Sequence, residues 1–410
     1  MKTHARWLAS ATALLSVCAV GCGQMLGYDD VRFGEGQSEN LGTSYPTPAT
    51  SVTTAGGSDG GALGVPPLPA SGDGGALPRE LPPNDGGSES GALDRCSGVT
   101  CGAGARCEAA TGKCVCSPGF VSSGSGTCES APPGDPASHT EAQVCASWNQ
   151  GHALTDPSPW TPGATECDPG TLSQKGIDDT LTRLAMFRYL VGLAPVVEAA
   201  GARATYMACG AVTAWNPPGT AANPHAPEPT AKCYSSAGAA GAGSANIGWG
   251  QRVPADAIDQ FVEDLGNDTT FGHRRWVLNP PLGAVGIGYY AGGGPYGSSQ
   301  CLGVFDGSGT GPSPEWLSFP PAGFVPLQAA GWTWTFHHKG GVATKMTVTR
   351  ASDNATLPMM MLPLTQGFGV YGTAAFRAQG WSPAVGETYT VVVEGASPAP
   401  ITYVVKPVGC

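Results

Sequence analysis

The sequence predicts an α+β protein with a small disulfide-rich module, a region that mixes helices and strands, and a C-terminal all-β sandwich. Six cysteines fall within residues 96–128, a density typical of a disulfide framework that replaces a hydrophobic core. Apolar residues recur at helical spacing between Ile177 and Val191. After Asp306 they alternate along the chain, as in strands with one buried face. These three patterns predict three folded parts.

The composition indicates an exported protein. A chain of 410 residues is too long for one ordinary domain. Its 62 glycines and 37 prolines, with only 12% charged residues, are typical of loop-rich extracellular modules. Fourteen cysteines favour an oxidising compartment. The net charge of -11 and the lack of a run rich in Lys and Arg argue against nucleic-acid binding.

Residues 1–22 predict a lipoprotein signal peptide. A basic start with Lys2 and Arg6 precedes an apolar run that is too short to span a bilayer comfortably. The ending Ala19-Val20-Gly21-Cys22 resembles the lipobox of bacterial lipoproteins. That resemblance implies lipidation of Cys22 and an anchor of acyl chains at the cell envelope or cell surface. The alternative is an ordinary secretory signal cut near Gly21 or Gly23, which would release the protein.

Two stretches are predicted to be linkers. Residues 23–93 are rich in Gly, Ser, Pro and Thr and show neither helical nor strand periodicity. They cannot bury enough apolar surface to offset the entropy lost on ordering, so we expect a disordered tether. Residues 130–139 are predicted to form a second, proline-rich linker.

Residues 94–129 resemble an EGF-like module, most clearly in Cys114-Val115-Cys116-Ser117-Pro118-Gly119-Phe120. Six cysteines alone leave the pairing open. The resemblance implies the bonds Cys96–Cys107, Cys101–Cys114 and Cys116–Cys128. Calcium-binding modules of this type need acidic residues before the first cysteine, and only Asp94 stands there, so we expect no calcium. The module is expected to act as a spacer or adhesive unit. Because it has a linker on each side, we expect it to tumble more freely than the last two domains, which a short connector should let pack together.

Residues 140–306 carry the helical patterns. The apolar stripe predicts a long helix that ends near Gly192, and a second helix is expected over residues 196–215. Residues 256–265 predict a short helix that carries Glu263.

The same region carries strand patterns. The run Trp276-Val277-Leu278 predicts a buried strand, because Asn279-Pro280 would end it. In the next predicted strand, 285–289, Gly286 and Gly288 let a neighbouring backbone or ligand come close. Residues 299–305 predict a last strand. Helices that flank an antiparallel sheet would form a three-layer sandwich.

Four segments, in this order, resemble the CAP superfamily of cysteine-rich secretory, antigen 5 and pathogenesis-related proteins. Residues 187–195 resemble the first-helix pattern of bacterial members, and residues 244–250 resemble their Gly-Glu-Asn-Leu segment. Residues 261–263 stand where the family has an aromatic residue, a gap and a glutamate. Gly272-His273-Arg274-Arg275-Trp276-Val277-Leu278-Asn279-Pro280 resembles the Gly-His-x-x-x-Val-Val signature. The resemblance covers about residues 145–306 and implies an α-β-α sandwich.

The resemblance also implies a central cleft lined by His225, Glu263 and His273. In some members this cleft takes up a divalent metal, and imidazole is a good ligand for zinc. Ala245 stands where the family has a glutamate, so we expect His225 and His273 to bind a metal such as zinc only weakly. The alternative is that the histidines hydrogen-bond to the backbone and hold the cleft together.

The function that follows is binding rather than catalysis. Family members are credited with binding sterols or other lipids and with protein interactions, so we favour a cell-surface protein that binds a lipid, sterol-like, glycan or protein ligand. The alternative is a metal-assisted hydrolase of peptides or cell-wall material that uses His225 and His273. A hydrolase with a serine nucleophile would need a Gly-x-Ser-x-Gly elbow, and none lies near the site.

The six cysteines from Cys145 onward form an even set that we expect to be oxidised. Cys209, on the second predicted helix, is the natural partner of Cys233 in the loop that carries His225. With Cys145 paired to Cys167, this leaves Cys301 to bond Cys410, a link that would tie the last two domains together.

Residues 307–410 predict a β-sandwich of immunoglobulin-like type. Apolar residues alternate in four short stretches separated by Gly- and Pro-rich turns. Residues 319–326 resemble the connector that joins some bacterial CAP domains to such a module. His337 and His338 are adjacent on a predicted strand, so their side chains face opposite ways and are not expected to share a metal.

Overall fold

The computed structural model describes residues 95–410, except for residues 97, 103, 109–110, 123–127, 131 and 219–222. The predicted signal peptide, Cys22 and the tether therefore lie outside the described residues. In the part that the structure describes, no helix is both long and apolar enough to cross a membrane. The described chain is a mixed α+β structure, as predicted.

The cysteine-rich module consists of two small hairpins. β1 (Ala105–Glu108) pairs with β2 (Lys113–Cys116), and β3 (Phe120–Ser122) pairs with β4 (Cys128–Ser130), both antiparallel. The three disulfides Cys96–Cys107, Cys101–Cys114 and Cys116–Cys128 are the pairs that the resemblance to an EGF-like module implies.

The small module does not stand apart from the rest of the chain. Arg106 forms a partly buried ion pair with Asp178. A Cβ placed on Gly119 would lie 2.6 Å from the Pro195 side chain, so the backbone of the module at Gly119 packs directly against that side chain. The expectation that this module tumbles freely is therefore wrong for the structure described.

Two helices form the first layer of the next region. α1 (Glu141–His152) begins with a capping box, because Thr140 accepts from the Gln143 backbone and the Gln143 side chain accepts from the Thr140 backbone. Ser173 caps the N-terminus of α2 (Gln174–Leu190), which buries the predicted apolar stripe. α2 ends just before Gly192, which has φ 77°, as a helix that terminates at a glycine should.

Four more helices follow in this region. They are α3 (Arg203–Trp215), α4 (Ser236–Ala242), α5 (Asp256–Glu263) and α6 (Gly272–Val277). The second predicted helix begins later than expected, because the chain first adds the short strand β7 (Val197–Glu198) to a sheet and turns at Gly201.

A four-stranded sheet lies between these helices. Besides β7 it contains β8 (Ala245–Trp249), β9 (Ala284–Tyr290) and β10 (Ser299–Gly303), in the order β7-β9-β10-β8. β9, β10 and β8 are antiparallel, whereas β7 runs parallel to β9. β5 (Trp160–Thr161) and β6 (Thr171–Leu172) pair as a separate two-stranded antiparallel sheet.

The sheet is covered on both faces. On one face a Cβ on Gly288 would lie 1.9 Å from the Tyr206 carbonyl oxygen of α3, so the glycine is needed for this close approach. On the other face a Cβ on Gly248 would meet Gln260 and Phe261 of α5. The prediction that the β9 glycines let a neighbouring backbone come close is thus confirmed, and the neighbour is α3.

The segment predicted as a strand after His273 is helical instead. Arg275 donates its backbone N–H to Phe271 O at 3.1 Å and Leu278 donates to Arg274 O at 2.9 Å, which are i to i−4 bonds. The apolar run Trp276-Val277-Leu278 is too short for periodicity to separate a buried strand from a buried helix. The strand prediction was wrong for that reason.

The C-terminal region is a sandwich of two sheets. One sheet has the order β11-β13-β17-β16 and the other β12-β19-β18-β14-β15. The strands of the first sheet are β11 (Trp316–Phe319), β13 (Trp334–His338), β16 (Met359–Leu362) and β17 (Gly372–Ala378). Those of the second are β12 (Gly323–Pro326), β14 (Lys345–Arg350), β15 (Thr356–Leu357), β18 (Tyr389–Glu394) and β19 (Ile401–Val408), and α7 (Leu327–Ala330) follows β12.

The sandwich and the helical region share one hydrophobic core. The Phe187 ring of α2 lies 6.3 Å from the Phe319 ring and 5.9 Å from the Trp332 ring, measured between centroids. All three belong to a continuous cluster of buried and partly buried apolar side chains. The two regions therefore pack as one body, as expected from the short connector between them.

The last three disulfides differ from the predicted pairs. Cys145 bonds Cys410, Cys167 bonds Cys233, and Cys209 bonds Cys301. All three predicted pairs, Cys145–Cys167, Cys209–Cys233 and Cys301–Cys410, are thus wrong. Cys209 faces the sheet from α3 rather than the loop, and so meets β10. A covalent tie to the sandwich does exist, but it runs from α1 to the last residue.

Candidate functional site

His273 is the second residue of α6, and its ring is held by a buried aspartate. Its Nδ1 lies 2.9 Å from Asp264 Oδ1, and the side chain of Asp264 is fully buried whereas that of His273 is 22% exposed. Because a carboxylate can only accept, Nδ1 carries the proton in this contact. In the neutral ring Nε2 is then the nitrogen with a lone pair.

Asp264 is fixed by the backbone as well as by side chains. It follows the last residue of α5 and has φ 57°, in the left-handed region that aspartate tolerates better than most residues. Its other oxygen, Oδ2, accepts from the Arg274 backbone N–H at 3.1 Å, and Oδ1 also accepts from Asn267 Nδ2 at 3.1 Å. The carboxylate thus joins the end of α5 to the start of α6.

His225 lies in the loop before α4 and is held in a similar way. Its Nδ1 is 2.9 Å from Ala242 O, so Nδ1 donates and the neutral ring again has its lone pair on Nε2. Burial lowers the pKa of His225 to about 4; the hydrogen bond to Ala242 opposes that shift, and the charge of His273 adds to it. His225 is therefore neutral at neutral pH, and the two rings are close enough to affect each other.

β8 connects the two histidines. The carbonyl that holds His225 belongs to Ala242, three residues before β8, and Asn246 of β8 donates through Nδ2 to His273 O at 3.0 Å. β8 therefore links the backbone segments that carry the two histidines.

Ala245 occupies an apolar position. It lies on the α3 face of β8 in a buried cluster with the Cys209–Cys301 disulfide, Ala242 and Ile247. A carboxylate at this position would be buried against a disulfide without a charged partner in that cluster, which is costly. An alanine at this position therefore suits the local packing.

Glu263 is not the carboxylate that holds a histidine. It is the last residue of α5, and its pKa is raised by burial, lowered by Arg274 and raised further by Asp259. Its backbone oxygen accepts from Arg274 Nη2 at 3.0 Å. The carboxylate that contacts His273 belongs instead to the next residue, Asp264, which the sequence did not single out.

Two aromatic side chains extend the site. Trp276 lies one turn after His273 on α6, and its ring centroid is 4.7 Å from that of Phe305. Phe305 follows β10 and is 46% exposed, so the pair presents apolar surface to solvent. The neighbouring Val304 N–H donates to Ser244 O, just before β8, which places Phe305 at the same end of the sheet as Asn246.

Two buried polar atoms beside His273 have no hydrogen-bond partner among the described residues. They are Trp276 Nε1, a donor, and Asn246 Oδ1, an acceptor. Buried polar atoms are nearly always satisfied in native proteins, by protein groups or by water. These two atoms are therefore positions where a ligand or an ordered water can bind.

The residues fit a metal only in part. Both imidazoles have the hydrogen-bonded Nδ1 and lone-pair Nε2 that metal-binding histidines show. Within the described ranges, however, no group of three or more His, Cys, Asp or Glu side chains is arranged to hold a metal ion. Zinc would have at most His225 and His273 as protein ligands here, and Asp264 would lie behind His273 rather than on the metal.

The histidine pair on β13 lies elsewhere and has a packing role. His337 Nε2 is 2.9 Å from Thr335 Oγ1 and its Nδ1 is 3.1 Å from Thr373 Oγ1. Burial of the ring lowers the pKa of His337 far below its usual range, and the charges of Arg275 and Arg274 lower it further. His338 instead accepts from the Gly340 N–H at 2.8 Å, so the adjacent rings have separate partners.

Comparison of the chain with known protein families, with curated proteins and with solved structures finds no match.

Proposed function

We propose that this is an exported binding protein whose ligand is recognised at the cleft of His225 and His273. The observation that carries the proposal is that a hydrogen bond from Nδ1 fixes the orientation and the tautomer of both rings. The Asp264 carboxylate and the Ala242 carbonyl each accept a hydrogen bond from an Nδ1–H, so the ring of His273 in its neutral form has Nε2 as its hydrogen-bond acceptor. Binding sites commonly combine a few such polar groups with apolar and aromatic walls.

The chemistry of the cleft favours an uncharged ligand with hydroxyl groups on an apolar or ring-shaped body. A hydroxyl can donate to a neutral imidazole, whereas the exposed Phe305 and its partner Trp276 supply a flat apolar surface. Sterol-like lipids and glycans both have this chemistry. A protein ligand would need a larger complementary surface than these side chains provide.

The proposal includes export and anchoring. Six disulfides within the described residues are consistent with an extracellular protein. Anchoring depends on Cys22, outside those residues, so a Cys22→Ser variant should move from the membrane to the soluble fraction. Wild-type protein with an unmodified N-terminus, found only in the soluble fraction, would contradict the anchor but not the binding function.

Titration calorimetry tests the binding function. Cholesterol in detergent micelles and a muropeptide from peptidoglycan serve as the lipid and glycan probes. We expect the wild-type protein to bind one of them and a His225→Gln/His273→Gln double variant to lose that binding. His152→Gln is the matched control, because His152 lies on α1 and bonds to Trp148 O. Equal binding by the double variant would sink the proposal.

A metal-assisted hydrolase is the second candidate, and the Asp264–His273 contact favours it. A histidine oriented by a buried carboxylate is the arrangement that general bases use to take a proton from water or a hydroxyl. Bound zinc would supply an activated water. Hydrolysis of cell-wall material or peptides that requires zinc and is lost in Asp264→Asn would support this candidate over pure binding.

A further inference from the structure

The loop that joins β16 to β17, residues 364–371, lies against the segment that carries His273. Thr365 donates its N–H to Thr269 O at 2.8 Å, and Thr365 O accepts from Arg275 Nη1 at 2.7 Å. Gln366 Oε1 lies 3.3 Å from Arg275 Nη2. These bonds connect the sandwich to residues on both sides of His273.

Phe368 provides the apolar part of the same contact. A Cβ on Gly272, the residue before His273, would lie 2.8 Å from the Phe368 ring, so the ring packs directly on the start of α6. The Arg275 guanidinium stands 5.1 Å from the centroid of that ring. Phe368 is only 2% exposed, so its position is fixed by packing.

The far end of α6 is held by the same loop. The Val370 N–H donates to Asn279 Oδ1 at 3.1 Å. Thr269, Gly272, Arg275 and Asn279 are therefore all touched by one short stretch of the sandwich.

Strand β13 of the sandwich and the residue just before it also contact α6. Arg274 is fully buried, and its Nη1 donates to Thr333 O and lies 3.2 Å from Thr335 Oγ1 of β13. Its Nε donates to Val262 O in α5. The two consecutive arginines of α6 thus both contact the sandwich, whereas the His273 ring contacts Asp264.

We propose that the 364–371 loop is a positioning element for His273, so that the C-terminal sandwich is part of the binding site. α6 has only six residues, and a helix of that length is not stable without tertiary contacts. The direction in which His273 points therefore depends on what packs against α6. Asp264 fixes one side of the ring, and the loop fixes the helix from which the ring projects.

The effect of the loop on ligand affinity rests on the proposed function, whereas its effect on His273 does not. The test uses the full chain with 15N-labelled histidine and the variant Phe368→Ala. NMR reports the Nδ1–H of His273, and calorimetry reports affinity for cholesterol micelles and the muropeptide. Phe324→Ala is the matched control, because Phe324 lies on β12 of the sandwich beneath Lys406.

We expect the Phe368→Ala protein to be folded, with a cooperative unfolding transition. Its His273 Nδ1–H signal should be lost or broadened, and its ligand binding should be roughly tenfold weaker. Phe324→Ala should keep both the His273 Nδ1–H signal and the wild-type affinity. If Phe368→Ala does not fold, Gln366→Ala removes one acceptor of Arg275 while the aromatic packing stays.

A normal His273 signal in folded Phe368→Ala and Gln366→Ala proteins would overturn the proposal. If the wild type binds neither probe but the signal still changes in Phe368→Ala, the positioning role stands and the proposed binding function falls.

Discussion

Asp264 is the residue on which the site depends, and the sequence did not single it out. Glu263 and Asp264 are adjacent carboxylates, and the family resemblance pointed to the first. The helix α5 ends between them, and the left-handed conformation of Asp264 turns its side chain to His273. The sequence did contain one signal for Asp264, because it lies two residues before Gly266. Helices often end near a glycine, and residues at helix ends often adopt the left-handed conformation. Residue type alone could not show which side chain turns toward the histidine.

Replacing Asp264 by asparagine should loosen the site. Asparagine keeps the size and tolerates the left-handed backbone, but it has only one acceptor oxygen. If its NH₂ group faces the Arg274 N–H, that buried donor is left unpaired, and if it faces His273, the ring must move its proton from Nδ1 to Nε2. Leaving such a buried donor unpaired costs about 1–3 kcal/mol. We expect urea unfolding to show a loss of this size, together with weaker ligand binding.

Asp268→Asn is the control for that prediction, because Asp268 lies in the same segment but pairs with Arg377 near the surface. An Asp264→Asn protein as stable as this control would show that the buried contact contributes little.

The depressed pKa of His225 predicts how stability changes with pH. The folded pKa is about 4, below the usual value near 6.5, because the buried ring resists protonation. Between these values the unfolded chain binds the proton and the native protein does not, so the free energy of unfolding falls as pH falls through this window. Urea unfolding at several pH values should show a shallower decline for His225→Gln than for the wild type. Identical slopes would contradict the buried, neutral state of His225.

At the scale of elements, patterns of five or more residues were predicted well, whereas the three-residue apolar run of α6 was not. The α2 stripe extends over several turns, and the structure has this helix where the spacing placed it. The apolar run in α6 covers less than one turn, so its period was undefined, and tertiary contacts from the sandwich made it helical. The glycines of β9 were informative because only a close neighbour explains glycine at alternate positions of a buried strand.

Gly288→Ala tests the contact between α3 and the sheet. The added Cβ would lie 1.9 Å from Tyr206 O, and the backbone cannot swing away as a side chain would. Overpacking of this kind costs about 1–3 kcal/mol, which urea unfolding can measure. Gly307→Ala is the control, because a Cβ there meets nothing within 4 Å. Equal stability of the two variants would argue against the close approach of α3.

At the scale of the whole molecule, the order of the parts could be predicted but not how they join. The patterns located the cysteine-rich module, the helical region and the sandwich from composition and periodicity. Their contacts depend on pairs far apart in the sequence, such as Arg106 with Asp178 and Arg275 with Thr365. The disulfide errors have the same origin, since sequence order cannot show which cysteines meet in space.

The Cys145–Cys410 bond should contribute more to stability than the Cys167–Cys233 bond. The first closes a loop of 265 residues and joins α1 to the C-terminal residue, whereas the second closes 66 residues within one region. In the chain-entropy description a disulfide contributes about 2–4 kcal/mol, and this difference in loop length adds about 1 kcal/mol to the longer one. We expect the Cys145→Ser/Cys410→Ser variant to unfold at lower urea concentration than Cys167→Ser/Cys233→Ser, with both below the wild type. Peptide mapping without reduction should first recover a Cys145–Cys410 peptide from the wild type. If it recovers Cys301–Cys410 instead, or if the shorter loop proves the more stabilising, then the sandwich is not tied to α1 in this way.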